Sequence, residues 1–330
     1  MNQLAPAAVI AAATGVLSCL GTWALIPLLS RRGILDRPND RSSHTTPTPR
    51  GGGIAVVGAL LSAWGLLALL GRASPSIAAV MLGAAALAAV SWIDDRGGLS
   101  QAARLAAQVA AAALGLLALP HPAGALAALP VALVYPAILL LWVWGTNLFN
   151  FMDGIDGIAG GEAAAIGVGL VFLSATGTGG DPQTAPLAAA LAGAALGFLV
   201  WNWPPARIFL GDVGSVPLGY LIGFLLIGLA LAGHWRAALI LPLYFLADAS
   251  LTLARRLLRG ERVWQAHRKH FYQRAVALGM SHRAVTTRVL AFDLVLVLLA
   301  WDAETAGGPV PLGLAAVGVL LFLVSLSYDR

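Results

Sequence analysis

Stretches without a single charged residue recur along this chain, at Leu4–Ser30, Gly51–Gly71, Ala73–Ile93, Ala163–Gly180, Pro182–Ala206, Val213–Trp235 and Thr305–Tyr328. Each is at least 18 residues long, enough or nearly enough to cross roughly 30 Å of hydrocarbon as helix. A helix satisfies its own backbone hydrogen bonds, and that makes it the form such a run takes in lipid. The run Leu105–Met152 is too long for one crossing, and its Pro120-His121-Pro122-Ala123-Gly124 segment reads as a turn between two spans. Two further spans, about 236–255 and about 284–302, contain Asp248 and Arg288 with Asp293. With 59% hydrophobic and 11% charged residues, an array of soluble domains is excluded. The expected fold is an all-α integral membrane protein, one polytopic domain over residues 1–330 with about 11 transmembrane helices.

Orientation follows from the basic residues. One set of loops holds Arg31, Arg32, Arg37, Arg41, Arg50, Arg96, Arg104, Arg207, every Lys and Arg from Arg255 to Arg288, and Arg330. The other set holds only Arg72 and Arg236. Basic loops stay in the cytoplasm, so the N-terminus is expected outside and the C-terminus inside. The cytoplasmic loops then fall at about 30–50, 94–104, 147–162, 202–215 and 255–288. The net charge of +5 reads as this asymmetry, and no nucleic-acid partner is implied. Cys19 is the only cysteine, which excludes disulfides and a thiolate metal site. The first run lacks a basic leader and a small-residue cleavage site, so it is expected to be a retained helix.

Every cluster of polar and turn-forming residues falls in the basic loops. Asp94, Asp95, Asp153, Asp156 and Asp212 each lie just beyond a long uncharged stretch, so the topology brings three carboxylate clusters to one membrane face. Such clusters suit Mg²⁺-dependent chemistry on a lipid-borne phosphate. In Asn147-Leu-Phe-Asn150-Phe-Met-Asp153-Gly-Ile-Asp156-Gly, amides and carboxylates recur every third residue. On a helix or its 3₁₀ extension that period places all four on nearly one face, where they could hold a hydrated cation and sugar hydroxyls. A polar helix end followed by a turn is the competing reading. Asp94 and Asp95 diverge by about 100° on a helix, so one is expected to bind a basic partner while its neighbour faces substrate. Asp212, between Gly211 and Val213-Gly214-Ser215, is either a metal ligand or an ordinary N-cap.

Two basic segments complete the set. The loop Arg37–Gly53 contains His44 and Arg50 and ends at a helix start, whose dipole favours anions. The segment Gln265-Ala-His267-Arg268-Lys269-His270-Phe-Tyr272-Gln273 offers donors for a diphosphate and aromatics that could flank a base. Attraction to anionic lipids is the alternative for both segments. Zinc at His267 and His270 lacks a third ligand. Asp248 and Asp293 lie inside spans, where an ionisable group is a functional candidate by default. Asp248 is placed to reach Arg255 or the site, and Asp293 is expected to pair with Arg288 or a neighbouring helix.

At these residues the chain resembles the polyprenyl-phosphate N-acetylhexosamine-1-phosphate transferases, a family that includes phospho-N-acetylmuramoyl-pentapeptide translocase. The matching pieces are Asp36-Arg-Pro-Asn39, Pro47-Thr-Pro-Arg50-Gly-Gly, Asp94-Asp95, the Asn147–Gly157 run, Phe209-Leu-Gly-Asp212-x-Gly-Ser and His267-Arg-x-His270. They stand in the family's order and span nearly the whole chain. The translocase branch has a lysine three positions after the second Asp and a three-histidine patch. Here Gly98 and His-Arg-Lys-His stand instead, which points away from a peptide-bearing muramoyl donor. The Arg41–His44 and Pro47–Gly53 runs look most similar to transferases that start O-antigen-like glycans, some of which use 6-deoxy sugars.

The resemblance implies transfer of an N-acetylhexosamine-1-phosphate from a UDP-N-acetylhexosamine to undecaprenyl phosphate in a bacterial inner membrane, with release of UMP. It implies Mg²⁺ as cofactor, with Mn²⁺ as a substitute, and a homodimer among the allowed assemblies. Asp212 with Asn150 would hold the metal. Asp153 and Asp156 would hold donor or metal waters, and Asp94 or Asp95 would orient or deprotonate the acceptor. Asn147, Asn150, His44, Arg50, Asp248, His267, Arg268 and His270 would bind substrate. The rival from another class is an ion-coupled secondary transporter, which places binding groups near the midplane on interrupted helices.

Overall fold

The computed structural model describes residues 4–38, 46–123, 127–263, 265 and 267–328. They form thirteen α-helices and one two-stranded ribbon. Helix α1 (Leu4–Arg31) leads into strands β1 (Leu35–Asp36) and β2 (Thr48–Pro49), which pair antiparallel with Asp36 opposite Thr48. Then follow α2 (Gly53–Leu69), α3 (Ile77–Gly97), α4 (Gln101–Gly115), α5 (Val131–Phe151), α6 (Ile158–Ala175), α7 (Thr184–Asn202), α8 (Asp212–Leu229) and the short α9 (Trp235–Ile240). The chain closes with α10 (Leu243–Leu258), α11 (Phe271–Ala277), α12 (His282–Thr305) and α13 (Val310–Tyr328). The protein is a multi-pass membrane protein: among the described residues, 9 helical stretches are long and apolar enough to cross a bilayer, and α2 is a shorter apolar helix.

Two expected boundaries move. The span expected at about 236–255 is broken, because the chain leaves the α8–α9 run at Leu241-Pro242 and restarts as α10. Pro242 has no N–H to continue the ladder. Just upstream, Gly233 adopts φ +103 between α8 and α9. The loops expected at 94–104 and 147–162 are also shorter than charge alone implies. Helix α3 runs through Asp94 and Asp95 to Gly97, α5 runs to Phe151, and α6 begins at Ile158, already enclosing Glu162. Helices extend past the point where charges begin, since those charges find partners inside the bundle, as Asp94 does in Arg104 and Asp95 in Arg50.

The centre of the bundle is made by small residues. A Cβ on Gly193 would strike the Ala11 carbonyl of α1, and one on Gly197 would strike the Gly15 carbonyl. The backbones of α1 and α7 therefore touch, as small residues permit between helices in lipid. Ser18 Oγ donates to Ala194 O at 2.7 Å across this seam. On the other flank, Trp142 of α5 donates Nε1–H to Tyr220 O of α8 at 2.8 Å, and the two rings stack at 4.9 Å.

Candidate active site

The loops before α2 and α8 are joined by main chain. Phe209 N donates to Pro49 O at 2.8 Å, Gly52 N to Phe209 O at 2.9 Å, and Gly53 N to Leu210 O at 2.9 Å. Gly53 and Gly214 then meet backbone to backbone, and a Cβ on either would collide with the other. Gly211, at φ +73, lets the turn pass against the Arg50 side chain and Asp95. The glycines around Arg50 and Asp212 are thus what allows these distant loops to touch.

Their junction assembles an acidic centre. Arg50 Nη2 lies 2.8 Å from Asp95 Oδ1 and 2.9 Å from Asp212 Oδ1. Asp95, whose side chain is 7% exposed, also accepts from Val213 N at 3.4 Å. Asp212 opens α8, where the helix dipole favours its charge. Asp94 turns the other way, to Arg104 Nη1 at 3.0 Å and the Leu99 N–H. The two adjacent aspartates diverge as their helix requires.

The period-three run is divided by the end of α5. Asn147 and Gln108 of α4 pair their amides reciprocally, at 2.6 and 3.2 Å, so Asn147 clamps two helices. Asn150 Oδ1 accepts from Ser215 Oγ at 2.5 Å, one turn beyond Asp212 on the same face of α8. Asp153, in the turn between α5 and α6, accepts no hydrogen bond from the described residues and lies in the fields of Asp212, Arg50 and Asp95. Burial, then the like charge of Asp212, pushes its carboxyl up to about 7, with Arg50 opposing. Asp156 is held from three sides. Its carboxylate accepts from Ala206 N at 3.0 Å and pairs with His282 Nδ1 at 3.2 Å, while Thr286 Oγ1 donates to its carbonyl at 2.8 Å. Gly157 follows at φ +78, and Asp156 fastens α12 while its charge also acts on Asp153.

The second basic segment is anchored from within. Asp248 is fully buried and accepts from Phe271 N at 3.0 Å, Tyr272 N at 3.2 Å and His270 Nδ1 at 3.1 Å, beside Thr252 Oγ1 at 3.3 Å. No face of Asp248 remains for substrate or for Arg255, and its deep charge is used to start α11. His270 is buried too, at 2% exposure, stacked between His267 at 4.8 Å and Tyr272 at 5.7 Å. Its Nδ1 is held by Asp248, which fixes the ring at the start of α11. Burial and the neighbouring His270 bring His267 down to about 4, leaving it neutral at physiological pH. His267 and the exposed Arg268 line an open cavity of about 510 Å³ with Arg256, Glu261, Arg262, Gln265 and Lys269. Glu261 bridges Lys269 Nζ at 2.6 Å and Arg256 Nε at 3.0 Å, which hold its carboxyl below the usual range. Tyr272 was expected to flank a base. It is instead buried, and its hydroxyl donates to Phe151 O at 3.1 Å, tying this segment to the turn that carries Asp153.

His44 falls outside the described residues. The sequence reading missed Ser215, although it stood inside a quoted motif, and also Gln108 and His282, which no local pattern marks. Asp293 meets Glu162 of α6 and not Arg288. Among the described residues, no three His, Cys, Asp or Glu side chains are disposed to hold a metal ion unaided.

The glycosyl transferase family 4 profile matches residues 77–230, from α3 through α8, and so includes Asp95, Asn150, Asp153 and Asp212. The chain is 31% identical to the decaprenyl-phosphate N-acetylglucosaminephosphotransferase of Mycolicibacterium smegmatis over 78% of this chain and 72% of that protein. It is 29% identical to a probable undecaprenyl-phosphate N-acetylglucosaminyl 1-phosphate transferase of Bacillus subtilis, over 81% and 78%. A Synechococcus phospho-N-acetylmuramoyl-pentapeptide-transferase is 37% identical over 62% of each chain. With this likeness over most of its length, the chain belongs to glycosyl transferase family 4, among the polyprenyl-phosphate sugar-1-phosphate transferases.

Proposed function

We propose that this protein transfers an N-acetylhexosamine-1-phosphate from a UDP-sugar to undecaprenyl phosphate at the cytoplasmic face of a bacterial inner membrane, starting an O-antigen-like lipid-linked glycan. The observation that carries the reading is the acidic centre, where Asp95 and Asp212 share the single guanidinium of Arg50 and Asp153 lies within their fields. Three carboxylates against one cation leave an excess of negative charge that suits a divalent ion. The donors fit Mg²⁺, which takes one or two carboxylates and completes its shell with phosphate oxygens and water. Asp212 would hold it, with the amide oxygen of Asn150, whose second lone pair is left over from Ser215. Bound there, the ion would neutralise charge on the donor diphosphate.

The protein's own groups supply alignment. A phosphate monoester with a second pKa of about 6 is largely dianionic at neutral pH, so the acceptor needs little help from a base. One acceptor oxygen forms a bond to the β-phosphorus of the donor, and the bond from that phosphorus to the bridging oxygen breaks, releasing UMP. Asp95 and Arg50 orient the phosphates, Asp153 takes donor hydroxyls or metal-bound water, and the starts of α2 and α8 favour the anionic groups. The basic cavity at residues 256–269 receives the nucleotide end.

Purified protein with undecaprenyl phosphate, Mg²⁺ and a panel of UDP-N-acetylhexosamines, including 6-deoxy forms, tests this and identifies the sugar. UMP release is expected. Asp212→Asn and Asp153→Asn should each lower it by about 100-fold or more while the protein still inserts. Wild-type turnover in either variant would refute the assignment.

A further inference from the structure

Away from the acidic centre, one titratable group cluster is unused by the transfer reaction. Glu162 of α6 is 0% exposed, Asp293 of α12 is 2% exposed, and Tyr244 of α10 is 0% exposed. All four carboxyl oxygens and the Tyr244 hydroxyl lack a hydrogen-bond donor or acceptor of ordinary kind. The two carboxyls nonetheless face each other at hydrogen-bonding reach. Two ionised carboxylates have no proton to place between them, so that approach is repulsive unless a positive charge is added. Apolar side chains pack along α6 on either side of Glu162. Leu290 fills the space beside Gly161, and Leu241 and Val297 fill that beside Gly169. Among the described residues, the titratable groups acting on the pair are each other, while Tyr244 lies in the fields of Glu162, Asp293, Asp248 and Tyr272. Among the described residues, no basic side chain acts on them. A buried pair of full charges without a counter-ion is not sustained in an apolar interior.

We propose that Glu162 and Asp293 form a buried proton-binding site, in which one excess proton is shared between the two carboxyls, with Tyr244 in their field. The bound proton turns a repulsion into a tie between α6 and α12. These are the helices that Asp156 and His282 fasten at their beginnings. The tie sits one helical turn beyond the start of α6 and is independent of the transfer chemistry.

Infrared spectroscopy of the full-length purified protein tests the site at a pH of about 8.5, where ordinary carboxyls are ionised. The wild type is expected to show a protonated-carboxyl C=O band that shifts in D₂O and is the same in Na⁺ and choline buffers. The band should be lost in Glu162→Gln/Asp293→Asn, whose amides can still pair. Tyr244→Phe, which removes only a hydroxyl, should shift the band without abolishing it. Absence of the band from the wild type overturns the proposal without recourse to any variant, as does its persistence in the double variant. A band that vanishes on adding Na⁺ identifies an alkali-cation site instead and also overturns it.

Discussion

Arg50 is the residue on which the acidic centre turns, because its Nη2 serves Asp95 and Asp212 at once and its field also reaches Asp153. Asp153 sits at about 7, raised by burial and then by Asp212. A carboxyl with a raised value keeps its proton on the acid side, and a cation must displace that proton. Apparent Mg²⁺ affinity should therefore weaken by about tenfold per pH unit below about 7 and level off above about 8. Magnesium titrations of UMP release across that range will show it. Arg50→Ala removes the one influence that lowers Asp153, so the same limb should move to higher pH. A limb that stays in place in Arg50→Ala would show that Asp153 is not the group responsible. Asp94 and Asp95 were legible at this scale, since helical geometry alone sends neighbours in different directions. The tie of Asp156 to His282 was not, because α5 ends at Phe151 and the partner stands far along the chain.

At the scale of elements, the structure depends on segments that hold one another by main chain. Gly53→Ala places a methyl on the Gly214 backbone at the start of α8, and Gly214→Ala does the reverse. Either should cost about 1–3 kcal/mol as overpacking and separate Arg50 from Asp212. A lowered melting temperature together with lost UMP release is the expected outcome. Asp248→Ala should act differently, since it strips the acceptor from Phe271 N, Tyr272 N and His270 without touching the acidic centre. Each orphaned donor costs about 1–3 kcal/mol. The expected kinetic result is a KM for the UDP-sugar raised by roughly tenfold, with kcat less affected. The broken helix at Leu241-Pro242 was not legible, because an apolar composition reads the same through a proline break as through a continuous span.

For the whole molecule, the uncharged runs locate the membrane helices well because burial in lipid admits few alternatives to helix. They could not reveal which helices touch, a matter settled by glycines whose use depends on partners far along the chain. In a Cys19→Ser background, single cysteines at Ser100 and Gln265 should react with an impermeant thiol reagent only from the cytoplasmic side. Cysteines at Arg72 and Gln183, near the opposite helix ends, should react only from outside. Labelling of Ser100 and Gln265 from opposite sides would dismantle the proposed site. The meeting of Gly53 with Gly214 has one more use. Since hydrogen alone fits at either place, those two positions work as a gauge readable from any relative's sequence: a bulkier residue at one announces that the α2 and α8 entrances have parted, and with them the geometry that lets one arginine serve two aspartates.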